Sequence, residues 1–176
     1  LEKAMERVVD SRIKAIWPCH RLQTGYTRCR GTFDNISRLD GAIRRSFRRG
    51  GGVLAGFCDM TAAFDRVEAG PLLDRMWERA RHLQDVALQS EALEVLAWLQ
   101  DFLTGRLIRV RVGDVLSAVR GISVGCPQGS ILGPVLWNLF LDSALVALEG
   151  VPGISILCYA DDIAVFIEYT DSSRAA

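Results

Sequence analysis

Residues 154–167 read Ile154-Ser155-Ile156-Leu157-Cys158-Tyr159-Ala160-Asp161-Asp162-Ile163-Ala164-Val165-Phe166-Ile167. Two apolar arms flank a short polar interruption, the pattern of two strands joined by a tight turn, with Asp161 and Asp162 at its tip. Neighbouring carboxylates repel and raise each other's pKa, so this pair costs free energy unless a cation is present. Mg²⁺ is a hard ion that takes carboxylate oxygens and keeps positions open for phosphate. Aspartate is also a common turn residue. The dipeptide alone leaves that plainer reading standing.

A third carboxylate strengthens the metal reading. Residues 53–58 form a short apolar run after Gly50-Gly51-Gly52, read as a buried strand, and Asp59 closes it. Three carboxylates from two strands could hold two metal ions, one activating a hydroxyl and both stabilising a transferring phosphoryl group. Spacing does not dictate that the strands are neighbours, and Asp59 also reads as a solvent-facing strand end. Asp65 reads better as a helix cap or an ion-pair partner of Arg66 or a nearby Arg.

Working outward, residues 1–16 carry Met5, Val8, Val9, Ile13 and Ile16 at helical spacing, and Pro18 stops that helix. Residues 20–31 read as loop. Thr32 or Asp34 can cap a helix to about Phe47, with Ile36, Leu39, Ile43 and Phe47 on one face. Arg44, Arg45, Arg48 and Arg49 gather at its end, where positive charge suits the helix dipole. Pro71 suits the first turn of a helix carrying Leu72, Leu73, Met76 and Trp77. Another helix covers about residues 88–103, with Leu93, Leu96, Ala97, Leu99 and Leu103 inward and Trp98 a further candidate for that face. Residues 107–112 alternate and turn at Gly113-Asp114 into a return strand. Residues 121–130 form a loop leading into an apolar helix that ends near Leu148. The whole reads as α+β, with no repeat, low-complexity tract or linker.

The 176 residues are 49% hydrophobic and 24% charged, an ordinary globular composition that argues against disorder. The formal net charge is zero, which taken alone speaks against a nucleic-acid binder. The total conceals a split. Residues 1–50 hold 12 Lys/Arg and 5 Asp/Glu, whereas residues 51–176 hold 9 and 16. A basic region inside a neutral chain can still offer a local anion-binding surface. The five cysteines include no CxxC pair, and an odd count cannot pair fully. Reduced, mostly buried thiols in an intracellular protein are expected, with Cys58 and Cys158 behaving as small hydrophobes. No apolar run reaches about 18 residues, so no membrane span is expected. The start at Leu1, without Met or signal peptide, suggests a piece of a longer chain.

Four segments then form an ordered series: Gln23-Thr24-Gly25-Tyr26 with Thr32, Asp59-Met60-Thr61-Ala62-Ala63-Phe64-Asp65, Gly125-Cys126-Pro127-Gln128-Gly129-Ser130, and Tyr159-Ala160-Asp161-Asp162. The series closely resembles the reverse transcriptase domain of non-LTR retrotransposons. Phe102-Leu103-Thr104-Gly105-Arg106 and Leu136-Trp137-Asn138-Leu139-Phe140 also look like that family. The resemblance covers nearly the whole chain.

The resemblance implies the palm of a right-hand polymerase, an antiparallel sheet packed on helices, with partial fingers. Residues 1–52 would be fingers and residues 53–176 palm, within a larger polyprotein. The remaining fingers, thumb and endonuclease would lie elsewhere in that parent chain. The activity implied is RNA-directed DNA polymerisation, with RNA template, DNA primer and dNTP as partners. Asp59 and Asp161 would be the principal ligands of two Mg²⁺ ions, which Mn²⁺ can replace. Asp162 would assist, and the backbone carbonyl of Met60 would face a metal. Phe64 matches the bulky residue that stacks under the sugar and excludes a 2′-hydroxyl. Gln128 and Gly129 match the loop that touches the incoming nucleotide and the templating base. Glycine there permits close approach, and the following helix N-terminus favours phosphate. Gln23, Gly25, Arg28 and Arg30 would belong to the template track. That stretch departs from the family pattern, with Thr27 where a basic residue is usual and Cys29 where Gly is usual.

The implied location is intracellular, in nucleus or cytoplasm. A competing reading is an inactive or repurposed nucleic-acid-binding fragment of such an enzyme. A metal-dependent nuclease or phosphatase could use the same carboxylates, but leaves the Gln128 loop and Phe64 without a role.

Overall fold

A computed structural model describes residues 2–127 and 129–170. In chain order the elements are α1 (Glu2–Ile16), α2 (Thr32–Arg48), β1 (Gly51–Cys58), a 3-10 turn (Phe64–Arg66), α3 (Ala69–Ala80) and α4 (Val86–Leu103). Four short strands follow: β2 (Arg106–Ile108), β3 (Arg111–Val112), β4 (Val115–Leu116) and β5 (Arg120–Ile122). Then come α5 (Gly133–Glu149), β6 (Ser155–Tyr159) and β7 (Asp162–Thr170). Helices and antiparallel strands are both present, as the α+β reading expects. The chain forms two compact units, Leu1–Pro18 with Ala62–Phe140, and Cys19–Thr61 with Leu141–Ala176.

In the first unit, α1 and α3 pack on α4. Trp17 is buried, and its indole N–H donates to the Met76 carbonyl at 3.1 Å. Leu72, Met76, Ala80, Leu96, Leu99 and Leu103 fill the core, while Leu93 and Ala97, expected inward, point to solvent. Asp85 caps α4 by accepting from the amides of Ala87 and Leu88, so this helix starts two residues before its apolar pattern. The β3–β4 hairpin turns at Gly113-Asp114 as expected, with Gly113 at φ 60. β2 pairs with β5 below it.

The second unit is a three-stranded antiparallel sheet, order β1-β7-β6, covered on one face by α2. Ala42, Leu157 and Phe166 form its core, with Leu39, Val53, Ala55 and Ala164 packed around them. The buried stripe of α2 is Asn35, Ala42 and Ser46; Ile36 and Phe47 are exposed. This corrects the expected Ile36/Leu39/Ile43/Phe47 face. Small and polar residues win because the helix lies on strand backbone and satisfies it. Ser46 Oγ donates toward the carbonyls of Gly52 (2.7 Å) and Tyr169 (3.0 Å). The cap also differs from expectation. Gly31 is the N-cap, and the Asp34 carboxylate reaches back to accept from its amide at 2.7 Å. β1 is an edge strand rather than a buried one, and Leu54 and Phe57 are exposed.

Candidate active site

The β6–β7 hairpin carries the acidic pair, and its turn is shorter than the sequence suggests. Tyr159 pairs with Asp162, so the tip is Ala160-Asp161 and Asp162 already begins β7. A two-residue hairpin loop requires positive φ at its first central residue. Ala160 supplies it at φ 55, in the left-handed region that costs a non-glycine residue about 1 kcal/mol.

β1 lies against β7 in antiparallel register, and Cys58 pairs with Ile163. Asp59 therefore leaves β1 at the level where Asp162 enters β7, which answers the question that spacing left open. Asp59 and Asp162 line one cavity of about 390 Å³, together with Phe57, Tyr159 and Ile36. Asp59 and Asp162 are exposed, and Asp161 and Met60 are half-buried. None of the three carboxylates forms an ion pair among the described residues. The Tyr26 phenol is pushed up by burial, and further by the charge of Asp161 and by Tyr159.

Among the described residues, no three His, Cys, Asp or Glu side chains converge into a ready-made metal cage. Mg²⁺ seldom uses one. It is held by one or two carboxylates, with waters and substrate phosphates completing the shell. Hard oxygen donors without an internal cation match that chemistry.

A third segment of the same unit secures this hairpin. Gln23 is fully buried. Its Oε1 accepts from the Ala160 amide at 2.8 Å, and its Nε2 donates to the Ala160 carbonyl at 3.0 Å. The Cys158 carbonyl accepts from the Thr24 amide (3.0 Å), Thr24 Oγ1 (2.7 Å) and Asn35 Nδ2 (3.0 Å). Gly25 is buried so closely that a Cβ there would lie 2.2 Å from the Ala160 nitrogen. Gln23 and Gly25, expected on the template track, thus have their polar groups turned inward. Arg28 and Arg30 are exposed. Sequence reasoning missed Thr24 and Asn35. The signal for Asn35 was a polar residue on the stripe of Ala42 and Ser46.

In the other unit, Phe64 and the loop before α5 come together. The Cys126 amide donates to the Phe64 carbonyl at 2.9 Å, and the Gly125 amide to the Val67 carbonyl at 2.8 Å. Gly125 has φ 86 and sits against the backbone of Asp65, which explains glycine there. Asp65 is exposed within the 3-10 turn. The Phe64 ring meets Trp137 with centroids 5.4 Å apart. Arg106 holds one end of the loop through the carbonyls of Val124 (3.0 Å) and Gly125 (2.6 Å).

Glu6, buried on α1, holds the loop's other end. Its carboxylate accepts from Ser130 Oγ and the Ile131 amide, both at 2.6 Å. Burial alone would raise its pKa, but these bonds, the Lys3 charge and the Leu132 amide hold it below the ordinary range. Lys3 also donates to the Gly129 carbonyl. Gly129 is exposed at φ 75, and Gln128 lies outside the described residues. Sequence reasoning missed Glu6 as well; the signal was a charge on the stripe of Val9, Ile13 and Ile16.

The cysteines are free, but they are not mostly buried. Cys29 and Cys58 are exposed, Cys19 is half-buried, and Cys126 and Cys158 are buried. Cys58 is exposed because β1 is an edge strand. Burial pushes the Cys158 thiol up to about 12, with a lesser contribution from Asp162 and Asp161, and pushes Cys126 up to about 11. No helix among the described residues is long and apolar enough to cross a membrane.

Comparison with known proteins finds relatives over nearly the whole chain. The chain is 31% identical over 175 residues to a 115 kDa protein of the type-1 retrotransposable element R1DM of Drosophila melanogaster, covering 98% of this chain and 15% of that protein. It is 29% identical over 180 residues to the RNA-directed DNA polymerase from mobile element jockey of Drosophila funebris, covering 97% and 18%. The chain therefore spans less than a fifth of these relatives. Apo telomerase from Candida tropicalis, truncated from its C-terminal domain, shares the fold with a TM-score of 0.65 at 12% identity, over 98% of this chain and 35% of that one. The α+β architecture is that of a polymerase palm. Residues 1–175 match the family described as Reverse transcriptase (RNA-dependent DNA polymerase), and to that family the chain belongs.

Proposed function

We propose that this chain carries the carboxylate centre of an RNA-directed DNA polymerase. In that reaction a primer 3′-hydroxyl oxygen attacks the α-phosphorus of a dNTP. A new P–O bond forms, the bond to the bridging oxygen breaks, and pyrophosphate leaves. The observation that carries the proposal is the β1–β7 register, which aligns Asp59 with Asp162 beside Asp161. Asp59 and Asp161 are the main proposed ligands for two Mg²⁺ ions, with Asp162 and the Met60 carbonyl assisting; Mn²⁺ can substitute. Bound Mg²⁺ supplies activation of the hydroxyl and neutralisation of phosphate charge. The protein's own share is positioning and fixed electrostatics.

Phe64 is the proposed sugar gate, and Gln128 with Gly129 the proposed nucleotide contacts. The exposed Arg28 and Arg30 suit RNA phosphates. RNA as partner is supported by the likeness to Candida tropicalis telomerase, solved in complex with a fragment of telomeric RNA. Residues 1–52 act as partial fingers and residues 53–176 as palm, completed by other parts of a parent chain. An intracellular setting, nucleus or cytoplasm, goes with an RNA template.

The test is primer extension on an RNA template with Mg²⁺, using the chain at parent length and comparing dNTPs with NTPs. Extension with dNTPs, abolished by chelation, is expected. RNA binding without extension would instead favour a repurposed binding fragment, and RNA cleavage without extension a nuclease.

A further inference from the structure

We propose that Gln23 is a positioning residue for the acidic hairpin: its amide locks the left-handed Ala160 and thereby fixes the Asp161 carboxylate. This rests on the reading of Asp161 as a metal ligand. Three observations carry it. Gln23 has no exposed surface, so it has nothing to offer a template. Both polar atoms of its side chain bond the two backbone groups of Ala160, at 2.8 and 3.0 Å. Oε1 also accepts from the Gly25 amide at 2.8 Å, so the amide cannot flip without facing donors with donors.

The bonded residue is the strained one. A non-glycine residue in the left-handed region persists only where its surroundings over-determine it. Here the determinants come from a segment 137 residues away in sequence. The same segment covers the open edge of β6, where Gln23 forms a short parallel bridge with Cys158 and Thr24 bonds the Cys158 carbonyl. Asn35 donates to both Thr24 Oγ1 (2.9 Å) and that carbonyl, closing the network. The clamp therefore grips the main chain on both sides of Tyr159, immediately before Asp161. Without it, the turn can relax toward a conformation in which Ala160 abandons positive φ and Asp161 turns away.

The test uses the parent-length chain bound to a primer and RNA template. Gln23→Glu keeps size but replaces the donor to the Ala160 carbonyl with an acceptor. Mn²⁺ affinity is read by paramagnetic resonance, RNA affinity by fluorescence anisotropy, and the Mg²⁺ concentration for half-maximal incorporation by single-nucleotide extension. Weakening of Mn²⁺ affinity by about tenfold or more is expected, as for other residues that orient metal ligands. Half-maximal Mg²⁺ should rise in step while RNA affinity stays unchanged. Thr24→Val, which removes one bond to the same hairpin, should shift metal affinity the same way by less, and it decides the matter if Gln23→Glu does not fold. Unchanged metal affinity overturns the proposal, as does weakened RNA binding at unchanged metal affinity, which would return Gln23 to the template. Asp161→Asn is measured alongside. If it too leaves metal affinity unchanged, the underlying metal reading has failed rather than the role of Gln23 alone.

Discussion

Gly25→Ala puts the hairpin clamp to a quantitative test. The added Cβ would stand 2.2 Å from the Ala160 nitrogen, 2.8 Å from its Cα and 3.0 Å from its Cβ. All three are main-chain or short side-chain atoms that cannot swing aside. Ordinary contact requires a separation of roughly 3.5 Å, so the two segments must part by about 1 Å. That breaks the paired bonds between Gln23 and Ala160, now 2.8 and 3.0 Å. Two neutral hydrogen bonds contribute about 2 kcal/mol, and overpacking costs a further ~1–3 kcal/mol. The sum, about 3–5 kcal/mol, is a large share of ordinary domain stability. For a chain of this size it corresponds to a fall in Tm of about 6–20 °C.

Scanning calorimetry measures the fall, and hydrogen exchange at the Ala160 amide locates it. Gly70→Ala is the control, because a Cβ there meets nothing within 4 Å. It sits in the first turn of α3 and should leave Tm level or slightly raised. A Gly25→Ala chain that melts with the wild type and keeps its Ala160 amide protected would refute the reasoning.

Other outcomes follow from the first unit. Phe64→Val should admit ribonucleotides, lowering the preference for dNTP over NTP by about tenfold or more in single-nucleotide incorporation; unchanged sugar selection removes the gate. Ser130→Ala deletes a hydrogen bond to the buried Glu6 carboxylate and should destabilise the chain by about 1.5–3 kcal/mol at neutral pH, read by denaturant unfolding. Glu6 has a depressed pKa when folded, so its contribution is complete above 4.5 and is lost as pH falls through the folded value. The gap between wild type and Ser130→Ala should therefore close in acid, and a gap constant with pH would show that Glu6 is not the partner that matters.

The hairpin was legible because its two arms and interruption have the period of strands, and Gly113-Asp114 announced the smaller hairpin just as directly. The neighbour of that hairpin was not legible. No local signal says that β1, which leads into Asp59, pairs with β7 more than a hundred residues later. The buried face of α2 was misjudged for a related reason. Apolar periodicity finds side chains that pack on side chains, whereas Asn35 and Ser46 are buried because they bond strand carbonyls. Gln23 escaped in the same way. Its type and motif suggested a ligand contact, and only the fold turns both amide atoms toward Ala160. Glu6 was passed over too, although a charge on the stripe of Val9, Ile13 and Ile16 is a signal that such a residue has a tertiary partner. Charge arithmetic misled at first: the neutral total hid exposed Arg28 and Arg30 in one segment and the carboxylates of the hairpin in another.

The most direct test of the account is single-nucleotide incorporation by the parent-length chain on an RNA template, wild type against Asp161→Asn. The substitution keeps the size of the hairpin tip and removes one proposed metal-binding charge. The account predicts loss of incorporation with RNA and primer affinity retained and the fold intact by hydrogen exchange at Ala160. Full incorporation by Asp161→Asn would contradict it.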